Sequence, residues 1–373
     1  MSGFPVVARV SKADRAGALD ALRFLAAAFV VLYHFGSSAP VDLTERYTML
    51  DRGWLATDFF IIVSGFVLGR AYGVALDTLD LSPHRFVLKR LLRVWPAHLI
   101  VLSGLAGLLL VAHLVGLPSN SPERFQASDF IYQALLVHAW GVSHQPSWNE
   151  PSWTLSALIV CYALFPLVWL ASRRLSGRGS ALIVGFGLVI AAGTGAHYLL
   201  HASLFDLPFH QGVVRTLPLF ILGAMLARFA QGREVSPAMA VASGLASLIA
   251  LVVIQVPART EFSAVASIVA LATLIVSADS LGVRQTPLIK AAASIAFTLF
   301  ITHAVIGTVW FSGLDALNIP TSWLTWFGAW VAVFSGATAF HLLIDRPIQT
   351  WLRAWTDRLG RPVTQPKAEA LTA

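Results

Sequence analysis

Three ionisable residues stand inside the first apolar run of the chain, LDALRFLAAAFVVLYHF at 19–35: Asp20, Arg23 and His34. The run has the length and apolarity of a membrane helix. A charged group at the centre of such a helix costs about 2.5–3.5 kcal/mol on the insertion scale, so these groups face a cavity, a partner or the interface. Arg23 and His34 are eleven residues apart, about 1100° of helical rotation, and project within roughly 20° of each other. Their axial separation is roughly 16 Å, half the hydrocarbon thickness. Asp20 precedes Arg23 by three residues, where an i,i+3 ion pair forms as readily as two side chains snorkelling apart to the interface. An imidazole at the depth of His34 serves as a general base or a nucleophile, or else as a polar contact to a neighbouring helix.

Other segments carry comparable residues. DFFIIVSGFVLG at 58–69 places Asp58 about one turn inside its helix, at a depth close to His34. An Asp58–His34 pair would fix the imidazole tautomer and stabilise its protonated form. In the same segment Ser64-Gly65 serves either close helix packing or the chemistry itself. SPHRFVLKRLLRVWP at 82–96 begins with an N-cap serine and an N1 proline. Arg85, Lys89 and Arg93 then repeat at i, i+4 and i+8 with Arg90 alongside, opposite Leu88, Leu91, Leu92 and Trp95. This predicts a basic amphipathic helix on the membrane surface, in contact with anionic lipid. NEPSWTLSALIVCYALFP at 149–166 contributes Glu150 and Trp153, and RTLPLFILGAMLA begins at Arg215. SIAFTLFITHAVI holds His303, as readily a satisfied structural histidine as a catalytic one. Asp345, ahead of Arg346-Pro347, is expected to pair with a basic neighbour. The sequence shows no metal-binding cluster, no Gly-rich nucleotide loop and no nucleophile elbow.

The elements that must position these residues are membrane helices. Of the 373 residues 57% are hydrophobic and 12% charged, half the charge of a soluble domain, and the mean hydropathy is +0.72. The pattern predicts an all-α, polytopic transmembrane bundle with ten spans, near 18–35, 54–73, 95–116, 153–171, 181–200, 212–230, 238–256, 262–280, 291–311 and 323–343. The run 128–140 is too short to cross and reads as re-entrant or interfacial. On these spans 21 of the 26 Lys and Arg fall on the side of the termini and five opposite, which puts both termini in the cytoplasm by the positive-inside rule. The +7 net charge therefore marks orientation and not nucleic-acid binding. Arg23 inside the first run, with no small-residue cleavage site after it, excludes a cleaved signal peptide. The single Cys161 excludes an internal disulfide. The organisation expected is a cytoplasmic segment 1–17, one membrane domain 18–345 and a cytoplasmic tail 346–373 whose end, 361–373, is disordered.

Taken in order, these motifs resemble the acyltransferase 3 family of integral-membrane acyltransferases, which modify glycans and other hydroxyl acceptors. The resemblance rests on Arg23-x10-His34, on Asp58, Phe60, Ser64, Gly65 and Phe66, on the Arg90–Arg93 pair, on the segment from Pro151 to Ser156, and on the Arg215, His303 and Asp345 segments. Two positions depart from the family pattern: Ile61 replaces a phenylalanine, and Leu158 stands where a glutamate is usual, with Glu150 a candidate replacement. The resemblance implies an acyl-CoA donor, usually acetyl-CoA, used as a substrate with no permanently bound cofactor. It implies phosphate binding by Arg90 and Arg93 with Arg23 at the cytoplasmic mouth, and the thioester presented to His34, oriented by Asp58. The acceptor implied is a hydroxyl of an extracytoplasmic glycan or a lipid-linked saccharide, in a bacterial inner membrane. Of the esterase-like domain that some members append, none is expected here, so the expected hand-off is direct or uses a separate extracytoplasmic protein. A secondary transporter or flippase, and an acylase of small molecules, are the competing readings.

Overall fold

A computed structural model describes residues 16–117, 121–143, 145–256 and 260–359. The tail end 361–373 and nearly all of the segment 1–17 lie outside the described residues. Within them all regular structure is helical: α1 (Gly17–Gly36), α2 (Leu43–Arg46), α3 (Trp54–Asp77), α4 (Pro83–Leu114), α5 (Ala127–Ala134), α6 (Trp153–Ala171), α7 (Arg178–Gly195), α8 (Gly212–Ala230), α9 (Pro237–Ile254), α10 (Glu261–Leu281), α11 (Pro287–Ala316), α12 (Trp323–Phe340) and α13 (Arg346–Leu359). Ten of these helical stretches are long and apolar enough to cross a membrane. The chain is an integral membrane protein with ten candidate spans. We call the end where α1 begins the basic end and the end where it finishes the far end.

The sequence marks many helix starts. Ser236-Pro237 and Thr286-Pro287 are N-cap and N1 pairs, and Thr260 with Ser263, and Ser322 with Thr325, form reciprocal capping boxes. Two expected boundaries are corrected. The basic helix at 82–96 and the span from 95 form one helix, α4, that runs through Pro96. An interior proline is tolerated where neighbouring protein stabilises the local backbone, and here the Trp95 indole is anchored on the Ala134 carbonyl at 2.7 Å. The residues after 343 likewise stay helical, because the π-turn His341–Asp345 carries α12 into α13. The run 128–140 forms the two-turn α5 and a one-turn segment His138–Val142, about 12 Å of helix, which is too short to cross.

Close packing of α3 on α8 forms the heart of the bundle. A Cβ on Gly65 would run into the Phe220 carbonyl, and a Cβ on Gly223 into the Ile62 carbonyl, so each helix lays backbone into the notch left by the other. In lipid, where apolar surface is no incentive for helices to associate, this contact is what small residues provide. It also sets opposite each other the first turns of the two helices, where Arg215 donates from Nε at 3.1 Å and from Nη2 at 2.7 Å to Asp58. At the basic end Arg228 reaches Asp77 at 2.7 Å across the same pair of helices.

Gly223→Ala is expected to lower stability by about 1–3 kcal/mol through overpacking. Gly187→Ala, on a stretch of α7 where a Cβ meets nothing, is expected to be neutral or to stabilise by up to about 1 kcal/mol. Thermal unfolding of the two variants in detergent checks the contrast.

Candidate active site

The last turn of α1 ends in Tyr33, His34 and Phe35, which leave the helix on different sides. The Tyr33 ring lies so close on Gly53 that a Cβ there would collide with it. Phe35 fills a notch in α11, where a Cβ on Gly307 would stand 2.5 Å from its ring. Its carbonyl accepts a hydrogen bond from the Trp326 indole of α12 at 2.8 Å. Held between these two, His34 meets the ring of His303 on α11, with centroids 5.1 Å apart. His34 is half-buried and has no hydrogen-bond partner among the described residues.

His303 is fully buried. Its Nδ1 donates to the Phe300 carbonyl at 2.7 Å and leans on that of Leu299 at 3.2 Å. Carbonyls only accept, so Nδ1 carries the proton of the neutral ring and Nε2 keeps the lone pair. That Nε2 is buried without a hydrogen-bond partner among the described residues. A pinned imidazole with a free lone pair thus lies against a more accessible one, an arrangement suited to proton transfer beside a nucleophile.

The expected Asp58–His34 pair is corrected. Asp58 is turned toward α8 by the α3–α8 crossing, and Arg215, whose third nitrogen donates to the Phe205 carbonyl at 3.0 Å, holds it. A permanently charged guanidinium satisfies a buried carboxylate better than a neutral imidazole does. Gly65 belongs to the close crossing, and Ser64 bonds back to the Phe60 carbonyl of its own helix at 2.6 Å. Trp153 packs on Gly212 at the start of α8, where a Cβ would come within 2.7 Å of the indole.

At the far end, the segments 121–143 and 145–152 are tied to the turn of α11 that carries His303. The hub is Gln133, fully buried. Its Oε1 accepts from the Asn149 backbone at 3.2 Å and from Ser152 at 3.4 Å, its Nε2 donates to the Ser147 carbonyl, and its backbone carbonyl accepts from His98 at 2.8 Å. Asn149 in turn donates from Nδ2 to the Ile301 carbonyl at 2.9 Å. Ser156 accepts from Ala139 N and donates to the Leu136 carbonyl. Gln133, Asn149 and His98 escaped the sequence reading. The signal that could have found them is the polar run QPSWNEPS behind an apolar run too short to cross. Leu158 is buried in the apolar core. Glu150 is partly exposed, faces Arg124 at 3.6 Å and lies within electrostatic reach of Tyr33.

At the basic end Asp20 pairs with Arg23 at 3.5 Å, as their spacing predicts, and also accepts from Gln285. Asp345 finds its basic neighbour in Arg93 at 2.9 Å, whose guanidinium also covers the Phe297 ring. Arg93 is therefore already charge-compensated. Arg90 bonds the Tyr72 hydroxyl at 2.7 Å, keeps a buried Nε without a partner, and makes no ion pair among the described residues. Arg90 and Arg23 both lie within electrostatic reach of Tyr162 of α6.

Comparison with known proteins fits this layout. A family profile described as "Acyltransferase domain" matches residues 17–346. The chain belongs to this acyltransferase family. The acyltransferase is also similar to "Protein 2 in picA locus" of Rhizobium radiobacter, 32% identical over 111 residues, 30% of this chain and 54% of that protein. It is 36% identical over 85 residues, 23% of this chain and 18% of the relative, to BcsY of Komagataeibacter xylinus, provisionally named a membrane-bound transacylase. The matched stretches thus span about half of one relative and a fifth of the other. No solved structure matches the acyltransferase.

Gly307→Val fills the Phe35 notch and pushes α1 from α11 beside the histidine pair. Acyl transfer is expected to fall at least about ten-fold, on the rule that misplacement by about 1 Å costs up to 100-fold, while circular dichroism keeps the wild-type helix content.

Proposed function

We propose that this acyltransferase moves an acyl group, acetyl in the first instance, from cytosolic acyl-CoA to a hydroxyl of an extracytoplasmic glycan or lipid-linked saccharide, in a bacterial inner membrane with the basic end in the cytoplasm. The observation that carries the reading is the His34–His303 contact, centroids 5.1 Å apart, at the far end of the helix whose near end holds Arg23. The excess of Lys and Arg at the basic end supports the orientation. The bacterial relatives, one of them named a transacylase, support the compartment and the reaction class.

In this reading Arg90 binds the coenzyme A phosphates, with Arg23 at the cytoplasmic mouth. A guanidinium with no carboxylate partner has its full charge to offer a phosphate. Arg93 contributes only by sharing its charge between the phosphate and Asp345. The pantetheine arm follows the face of α1 towards His34. Two routes then fit the histidine pair. In the direct route an imidazole lone pair takes the acceptor hydroxyl proton, the oxygen attacks the thioester carbonyl, the carbon–sulfur bond breaks, and the proton leaves on the coenzyme A thiol. In the two-step route a His34 ring nitrogen attacks the thioester carbonyl, the carbon–sulfur bond breaks, and the thiol leaves with the proton of the other ring nitrogen. The pinned Nε2 of His303 then takes the hydroxyl proton, the hydroxyl oxygen attacks the acyl carbon, the acyl–nitrogen bond breaks, and His303 returns the proton to His34. Glu150, which acts on Tyr33 next to His34, takes the place of the carboxylate lost at Leu158, at the mouth of the site.

His34→Ala in purified protein should reduce acceptor-stimulated release of coenzyme A from acetyl-CoA by at least about 100-fold. Wild-type release with normal product acylation would sink the histidine mechanism, and a wild-type protein that releases no thiol would favour a transporter. Label from radioactive acetyl-CoA trapped on His34 by rapid quench selects the two-step route.

A further inference from the structure

Pro96 interrupts α4 three residues beyond Arg93. Proline has no N–H, so the carbonyl four residues back, that of Leu92, loses its regular helical donor, and the ring crowds it outward. Such a site is where a helix pivots unless a neighbour replaces the missing bond. Gln349 of α13 is that neighbour. Its Nε2 donates to the Leu92 carbonyl at 3.1 Å and to the Arg93 carbonyl at 3.2 Å. Carbonyls only accept, so the amide nitrogen and not the amide oxygen faces them. The Gln349 side chain is buried.

Asp345 stands four residues before Gln349 and is buried as well. Its Oδ1 accepts from Arg93 Nη1 at 2.9 Å. The two side chains therefore hold Arg93 at both ends, one at the guanidinium and the other at the main-chain carbonyl. Earlier in α4 the basic stretch is fastened to α3 and α6. Arg90 bonds the Tyr72 hydroxyl at 2.7 Å, and the fully buried Phe86 meets the rings of Tyr72 and Phe165, with centroids 5.3 and 5.1 Å away. Pro96 is the remaining point of freedom between this stretch and the rest of the span, and Gln349 covers it. A neutral amide suits the place, because it supplies N–H groups without adding a charge beside a phosphate site.

We infer that Gln349 is a positioning residue of the donor site: by bridging the gap that Pro96 leaves, it fixes the turn of α4 from which Arg90 and Arg93 meet the coenzyme A phosphates. It touches no substrate and acts through the α4 backbone. This rests on the acyl-transfer reading above, in which those arginines take the phosphates, and adds the residue that holds them in place.

The test titrates full-length protein in nanodiscs with coenzyme A by isothermal titration calorimetry. Gln349→Met keeps the length and shape of the side chain and removes its N–H groups. It is expected to raise the Kd about ten-fold, in keeping with the rule that a misplacement of about 1 Å costs up to 100-fold. Pro96→Ala gives the Leu92 carbonyl a main-chain donor of its own. Alone it should bind within about three-fold of wild type, and on that background Gln349→Met should change the Kd by less than about two-fold. This rescue also separates a positioning role from misfolding, which a second substitution at Pro96 would not repair. Wild-type affinity in Gln349→Met, the same loss on both backgrounds, or a loss of about ten-fold in Pro96→Ala alone overturns the inference and leaves the acyl-transfer reading standing. A wild-type protein that binds no coenzyme A overturns that reading, and the inference falls with it.

Discussion

A polar group at membrane depth has no water to fall back on, so each must find its partner inside the protein or remain unpaired at a cost of about 1–3 kcal/mol. Most of the buried polar groups described above obey this. Asp58 has Arg215, whose remaining nitrogen has the Phe205 carbonyl. The amides of Gln133 and Asn149 interlock, and Ser156 both accepts and donates. The exceptions among the described residues include His98 Nδ1, His138 Nδ1, Thr216 Oγ1 and Asn149 Oδ1, and also the two that bear on the proposed function, His303 Nε2 and Arg90 Nε. The first of these two lies on α11 and the second towards the basic end of α4, where the proposed function needs an acceptor hydroxyl and a donor phosphate.

The packing that makes this possible is unevenly distributed. Glycine brings backbone against backbone where α3 crosses α8, and ring against backbone where Tyr33 meets Gly53 and Phe35 meets Gly307. The first crossing holds a structural ion pair, and the other two hold the turn of α1 that bears His34. Rigidity is thus concentrated around the imidazole pair, while the ring of His34 itself stays free of hydrogen bonds to the described residues. A group that must change partners during a reaction is served by such a setting, because the neighbours carry the positional constraint and the reacting atom carries none.

Much of this was legible in the sequence. Hydropathy gave the ten spans to within a few residues wherever a span stood alone. It failed where a helix outran the membrane, because an amphipathic pattern at 82–94 reads as a separate surface helix although the backbone is continuous through Pro96. The spacing of Asp20 and Arg23 gave their ion pair, and the residues before Arg346 gave Asp345 its basic partner. Pairing between distant helices was less accessible. Depth along the bundle is readable from sequence and rotation about each axis is not, so Asp58 and His34 at similar depth looked like partners. The close packing of α3 on α8 set the carboxylate against Arg215 instead. His303 was visible as a residue, but its tautomer depends on local carbonyls and its meeting with His34 on the Gly307 notch. Asn149 lies in an irregular segment whose path is set by tertiary contacts.

The central claim is that the acyl group enters from one face of the membrane and leaves on the other through the histidine pair. Proteoliposomes sorted to a single orientation, with radioactive acetyl-CoA sealed on the side of the basic loops and a membrane-impermeant saccharide on the opposite side, test it directly. The account predicts labelled saccharide on the far side in step with free coenzyme A on the near side. Label that appears only when donor and saccharide share a compartment would contradict it.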